Sequence, residues 1–404
     1  MKQPKPMSKT LFPKKRNLWI ITGITVLNAI GLTIVLPILP FLLSEYVAEK
    51  QVATYMSALV SVFALCTFFA APIFGALSDR FGRKRILIFS LIGSAVGYFL
   101  LGIGGAIWVL FLGRIIDGLT AGNQSTLFAY ISDSTEAAER GKWFGILGGA
   151  IGLGFMIGPV IGGTLGSISI TLPFFVTAGI TIVSIICVML LLPESLPVEK
   201  RSTHFNLKSF NLYHQFREVF QLKQARTLLI MGGFFFVGLI IWQFNTSVYL
   251  KDELHWGTTF IGAVFMTVGV CDILSRVVLL PLLLKKWSEK TLGAIGLLGL
   301  SLGLVCLFAT SYFPSPYLIF TAVAFIVLGE GLFDPSYNSQ LSNAVSDTKQ
   351  GVLQGTNHSL QALYRVIVPI GAAAVYTMNH GIIFALAAII LLIGLFLYLR
   401  INHD

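Results

Sequence analysis

The chain has 404 residues, of which 55% are hydrophobic and only 11% charged, with a formal net charge of +10. A soluble domain carries about 25% charged residues, so the composition excludes an ordinary soluble enzyme. The basic residues form no patch interleaved with aromatics, which excludes nucleic acid as a partner; they sit in short loops between apolar runs, where membrane topology requires them.

A spanning helix needs roughly 20 mostly apolar residues. In chain order the sequence predicts spans over 18–43, 53–77, 86–104, 107–131, 143–165 and 172–192, then a polar, basic linker over 193–226. Six more follow over 227–250, 258–284, 291–309, 317–340, 352–376 and 381–399. The expected architecture is an all-α integral membrane protein of twelve transmembrane helices in two six-helix bundles. Residues 18–192 form the first bundle and 227–399 the second, flanked by a basic tail over 1–17 and a short tail over 400–404. The tail leads into an apolar run too long for a signal peptide, with no small-residue cleavage site.

Lysine and arginine set the orientation. The tail, the linker and the loops on their side hold 23 of them, against only Lys50 and Lys251 on the other side. Both termini and the linker are therefore expected to be cytoplasmic, in a multi-pass protein of the cell membrane. Cys66, Cys187, Cys271 and Cys306 all fall in apolar runs and read as packing residues, with neither disulfide nor metal spacing. No phosphate-binding loop and no covalent catalytic constellation is present, so neither an ATP-driven pump nor an enzyme is expected.

The two halves carry signs of duplication. Gly141, Gly145 and Pro159 recur 210 residues later as Gly351, Gly355 and Pro369. Internal repeats of this kind place a substrate near the midplane, between halves that rock against each other.

Between the second and third spans stands Gly75-Ala-Leu-Ser-Asp79-Arg80-Phe-Gly82-Arg83-Lys84-Arg85. A positive-inside loop accounts for the bases alone; the order G-x-L-x-D-R-x-G-R-K resembles the signature loop of the major facilitator superfamily. The fourth span has Arg114, Asp117 and Gly118, similar to that family's R-x-x-x-G helix. The fifth has Gly154, Gly158, Pro159, Gly162 and Gly163, which resembles the stretch associated with drug:proton antiporters. Simple helix packing competes with this reading of the glycines. Lys285 to Thr291 looks like a decayed copy of the signature loop. Within the superfamily the closest likeness is to the twelve-span tetracycline exporters, through Ile30 to Pro40, Lys142 to Gly145 and Gly152 to Gly154. There are departures: Asn28 and Gly97 stand where those exporters carry acids, Asp272 stands where a histidine is usual, and the ninth span has no acid. The resemblance implies a cytoplasmic gate of Asp79, Arg80, Gly82, Arg83 and Lys84 with Asp133 and Arg140. It also implies that Asp79 pairs with the start of the eleventh span in the outward-open state.

Charges inside spans cost at least roughly 2.5–3.5 kcal/mol each on insertion scales, so each needs a reason. The embedded set is Arg114, Asp117, Asp272, Arg276, Glu330, Asp334 and Arg365. Arg114 with Asp117, and Asp272 with Arg276, have spacings that also permit simple self-neutralisation on one helix. Glu330 and Asp334 are both acids, and two carboxylates in one low-dielectric site do not readily ionise together. That suits a carrier that takes up and releases a proton. Proton coupling is therefore expected among Glu330, Asp334, Asp272, Asp117 and Arg114, with Arg365 as a candidate counter-ion and His358 as a structural residue. Substrate contacts are expected at Asn28, Gln124, Phe235, Trp242, Gln243 and Tyr337; an aromatic stripe such as the one on the seventh span also packs cores. The expected function is proton-driven efflux of a small amphipathic organic compound by a monomer in the lipid bilayer. It would be powered by the proton gradient, without a cofactor. Alternatives are uptake or exchange of a polar metabolite, lipid translocation, and a non-transporting sensor.

Overall fold

The computed structural model describes residues 15–201, 220–345 and 350–400. Among these, eleven helical segments are long and apolar enough to cross a membrane. The first half contains α1 (Lys15–Ile34), α2 (Leu39–Ser44), α3 (Glu49–Phe81), α4 (Arg83–Ile103), α5 (Ile107–Leu119), α6 (Asn123–Ser134), α7 (Ala137–Ile168) and α8 (Leu172–Leu191). The second contains α9 (Lys223–Asp252), α10 (Thr258–Ile273), α11 (Glu289–Ala309), α12 (Pro316–Asn343), α13 (Gln350–Tyr376) and α14 (Ile382–Leu399). Beyond Ile273, α10 continues through a π-helical stretch, Leu274–Leu279, into Leu280–Leu283. One end of the bundle, the linker face, holds the α3–α4 turn and the start of α9. The other, the far face, holds the α4–α5 and α9–α10 turns.

Two predicted spans are interrupted. The first turns at Val35–Ile38, between α1 and α2, where Pro37 and Pro40 cannot donate to a helical ladder. The span expected over 107–131 is not continuous but consists of α5 and α6, parted at Thr120–Gly122. Here Gly122 packs against the side chain of Phe74, and Thr120 Oγ1 returns to the Ile116 carbonyl at 2.8 Å. Irregular backbone at this depth is tolerated because neighbouring protein covers it.

Each half has its own packing, α1 on α7 and α4 on α8 in the first, α11 on α12 and α9 on α14 in the second. Across the halves, α7 packs on α10 and α3 on α13. Both inter-half seams are tight only toward the far face. On α7, Gly152, Pro159, Gly163 and Gly166 share one side and are buried, while Gly145, Gly148 and Gly149 continue that side toward the linker face and are exposed. A Cβ at any of those three would meet no atom within 4 Å. Helix α13 repeats the pattern. Pro369, Ala372, Ala373 and Tyr376 are buried on one side, and Arg365 and His358 continue that side and are exposed. The halves are therefore joined at the far face and parted toward the linker face.

A candidate transport pathway and its ionic clusters

The seal at the far face is made of backbone contacts and one ion pair. Gly163 and Gly262 let α7 and α10 touch, and Thr258 Oγ1 donates to the Gly163 carbonyl at 2.9 Å. Lys251 at the end of α9 pairs with Glu49 at the start of α3, 2.6 Å away, and lies over the Phe41 ring. A lysine bridging the two halves there explains one of the two basic residues on that side.

Below this seal, α10 and α12 cross closely. A Cβ at Gly331 would collide with the Ser275 side chain, and Ser275 Oγ donates to the Leu328 carbonyl at 3.0 Å. The crossing lies in the π-helical stretch, which accommodates the missing N–H of Pro281. It inserts Arg276 among three carboxylates. Its Nε meets Asp272 Oδ1 at 2.6 Å and one terminal nitrogen meets Asp334 Oδ2 at 2.9 Å. The other lies 3.8 Å from Glu330 Oε1. Asn338 Nδ2 also donates to Asp334 Oδ1, at 2.9 Å. Gly152 of α7 approaches Asp272 from the other half, so the cluster reaches the inter-half space. The sequence left the Asp272–Arg276 pair open to self-neutralisation; the guanidinium is in fact shared with α12. Three acids around one base leave the cluster short of positive charge when all are ionised. Arg365 of α13 lies within electrostatic reach of Glu330, and His358 of Asp334. His358, read as structural from the sequence, thus belongs to the same exposed face as Arg365.

The charged pair of the first half is enclosed instead. Asp117 is buried, accepts from Ser94 Oγ at 2.7 Å and lies 3.9 Å from an Arg114 terminal nitrogen. Arg114 sits over the Phe63 ring, its centre 5.5 Å from the ring centroid. Gly97 makes the crossing possible, because a Cβ there would stand 2.8 Å from Asp117 Cβ. This pair holds α4 to α5 and has no contact with the Arg276 cluster.

At the linker face the signature loop builds a network. Gly82 takes φ +100°, a conformation that favours glycine, and begins α4 at once. Arg83 binds Asp79 at 2.6 Å, Asp133 at 2.8 Å and Ser78 Oγ at 2.5 Å. Glu194, which the sequence reading did not place in the gate, accepts through its carboxylate from the backbone N–H of Arg83 at 2.8 Å and of Lys84 at 3.3 Å. It thereby satisfies the start of α4, where a negative charge suits the helix dipole. Lys84 Nζ donates to the Met189 carbonyl at 2.8 Å, and Arg80 lies over Phe81. Asp79 is half exposed and, among the described residues, makes no ion pair or hydrogen bond with α13, in keeping with a linker face that is parted. The Arg140 side chain lies outside the described residues.

The glycines of α7 divide into two groups. Gly154, Gly158 and Gly162 pack on Ala29, Ile30, Thr33 and Ile34 of α1, within one half. Gly163 and Gly166 meet Thr258 of α10, across the halves, and Pro159 presents its carbonyl to Gly262. The expected substrate residues are likewise divided. Asn28 and Gln243 are half-buried, and the Gln124 side chain lies outside the described residues. Phe235, Trp242 and Tyr337 are corrected: all three lie in the core of the second half. Phe235 packs on Phe333 with centroids 4.5 Å apart, Trp242 on Phe265, and Tyr337 stacks on Phe333 while donating to Asn357 Oδ1 at 3.0 Å. Helical spacing marked their face but not whether protein or cavity lay beyond it. Among the described residues no group of three His, Cys, Asp or Glu side chains is arranged to hold a metal ion.

Two helical halves that meet at one face, part at the other and enclose ionic side chains define a membrane transporter. The model of the Major Facilitator Superfamily matches residues 21–369, and the chain belongs to that family. It is 32% identical over 382 residues to the class H tetracycline resistance protein of Pasteurella multocida, covering 93% of this chain and 94% of that one. It is 25% identical over 395 residues to multidrug resistance protein 2 of Bacillus subtilis strain 168, covering 96% of each. Among solved structures, a POT family transporter in complex with 5-aminolevulinic acid superposes with a TM-score of 0.79 at 14% identity, covering 95% of each chain.

Proposed function

We propose that the protein is a secondary active exporter that exchanges protons for small amphipathic organic compounds. The observation that carries this reading is the Asp272–Arg276–Glu330–Asp334 cluster at the edge of the space between the halves. A cluster with more acids than bases can take up a proton without leaving the guanidinium unpaired. Its place beside α7 lets a charge change bear on the seam that must open and close. The resistance proteins it resembles supply the substrate class, compounds toxic to the cell.

On this reading the linker face is cytoplasmic, as the excess of basic residues on that side supports. The conformation described above is then the one that loads from the cytoplasm. Parting of Gly163 from Gly262 and of Lys251 from Glu49 would open the far face, while the halves close over the Asp79–Arg83–Asp133 network. The membrane potential supplies about 2.3 kcal/mol per charge per 100 mV, enough for roughly fifty-fold accumulation per charge moved. A single chain contains the whole pathway, and a proton gradient stands in place of a cofactor.

The test has two parts. Cells stripped of their own exporters should gain resistance to members of a drug panel when they express this protein. Inverted membrane vesicles should then accumulate such a compound under an imposed pH gradient. Glu330→Gln should still catalyse downhill exchange but lose uphill accumulation. Full pH-driven accumulation by Glu330→Gln would sink the coupling assignment, and uptake in place of efflux would sink the direction.

A further inference from the structure

The second half places two guanidinium groups among its spans, and their surroundings differ. Arg276 holds three carboxylates. Among the described residues none lies within ion-pair distance of Arg365. Glu330 is within its electrostatic reach but turns an oxygen to Arg276 at 3.8 Å. Helix α13 shows where Arg365 looks. Leu363, Ile367 and Ile370 form one exposed stripe, wholly apolar and suited to lipid. On the opposite side, one to two turns apart, stand His358, Gln361 and Arg365. That second side becomes the buried inter-half seam farther along, at Pro369, Ala372 and Tyr376. The polar stripe therefore faces the parted space between the halves.

An arginine at this depth is ordinarily paired, because an isolated charge in a low dielectric is costly. The acids of α10 and α12 turn their oxygens to Arg276, so although Glu330 is within electrostatic reach, no carboxylate among the described residues occupies the Arg365 fork, and its donors are available to an anion from outside the chain. We propose that His358, Gln361 and Arg365 form an anion-binding subsite for a carboxylate group of the transported compound. The planar guanidinium matches such a group with two parallel hydrogen bonds, and the amide and imidazole add donors on the same stripe. The acid-rich Arg276 cluster stands on neighbouring helices, so organic anions and zwitterions with an apolar body are the class the cavity suits. This rests on reading the space between the halves as the transport route.

Purified full-length protein in detergent can be tested with 1-naphthoate, with the neutral 1-naphthalenemethanol of similar shape, and with chloride against gluconate. Ligands that bind the folded state raise its unfolding midpoint. 1-Naphthoate should raise that of the wild type and the alcohol should not. Arg365→Gln should weaken naphthoate binding by about tenfold or more, the worth of a charge-assisted hydrogen bond. Arg365→Lys, which keeps the charge but not the fork, should fall between, and Gln361→Leu provides a second reading if Arg365→Gln does not fold. Equal stabilisation by the alcohol, naphthoate binding that survives in Arg365→Gln and Gln361→Leu, or a full shift from chloride alone would each overturn the proposal. If the drug panel fails while naphthoate binds as described, the efflux reading falls and the subsite stands. The reverse result removes the subsite alone.

Discussion

Alanine at Gly163 would test whether the α7–α10 contact is the closing surface of the far face. A Cβ there would stand 2.5 Å from the Thr258 carbonyl oxygen and 3.0 Å from Gly262 Cα, both backbone atoms of the other half. Neither can swing aside. Carbon contacts are most favourable at about 3.5–4.0 Å, so the helices must separate by roughly 0.5–1 Å. The bond from Thr258 Oγ1 to the Gly163 carbonyl, now 2.9 Å, would stretch with them. Overpacking of this kind costs about 1–3 kcal/mol. The cost falls only on the conformation in which the far face is closed, because only there do the two backbones meet. The population ratio should therefore move by about 5- to 150-fold toward the opposite conformation.

Gly158→Ala is the control. Its Cβ would meet the Thr33 hydroxyl and the Ile30 carbonyl of α1, in its own half, so its cost falls on both conformations. Spin labels at Ser167→Cys on α7 and Phe260→Cys on α10, both exposed, report the separation directly by double electron–electron resonance. Gly163→Ala should populate the longer distance and slow transport with little loss of thermal stability. Gly158→Ala should lower the unfolding midpoint and leave the distance distribution alone. If Gly163→Ala keeps the wild-type distance and transports normally, the seam is ordinary packing and the rocking surface lies elsewhere.

Two further outcomes follow from the ionic and aromatic packing. Arg276→Met should destabilise the protein by about 3 kcal/mol, the low end for a broken buried ion cluster because Arg276 is 33% exposed. Adding Asp272→Asn and Asp334→Asn should restore much of that in thermal unfolding, and a single variant as stable as the wild type would refute the cluster. Trp242→Ala and Tyr337→Ala should each cost about 3–5 kcal/mol of stability. The ranking of compounds in a sensitivity panel should not change; a selective change would return them to the substrate site.

The spans were legible because a bilayer demands long apolar runs, and nothing else in a chain of this composition produces them. The break at Thr120–Gly122 escaped notice within a run whose mean hydropathy is set by its flanks, although Thr120, Asn123, Gln124 and Ser125 signalled it by their polarity. The linker-face loop was legible as an ordered motif. Its completion by Glu194 was not, because a carboxylate 111 residues away reaches the Arg83 amide only once α8 has returned to the same face. Helix α7 shows a third kind of limit. The sequence gives the spacing of Gly154, Gly158, Gly162 and Gly163, hence their sides, but not which side meets α1 and which meets the other half. Conformational meaning attaches only to the second.

The two arginines of the second half carry that limit to the site itself. Within α10, the four-residue spacing of Asp272 and Arg276 accounts for one ion pair, and a reading confined to the helix ends there. The crossing at Ser275 and Gly331 adds two more carboxylates from another helix to the same guanidinium. Arg365, which the sequence offered as the counter-ion for those acids, makes no ion pair with them among the described residues, keeps electrostatic reach of Glu330 and turns its fork to the space between the halves. Neither outcome follows from either helix alone, because a helix fixes the side a charge lies on while the crossing fixes what it meets. The charge presented to a substrate is thus decided by small residues such as Gly331, which carry no charge and set the separation of the helices that do.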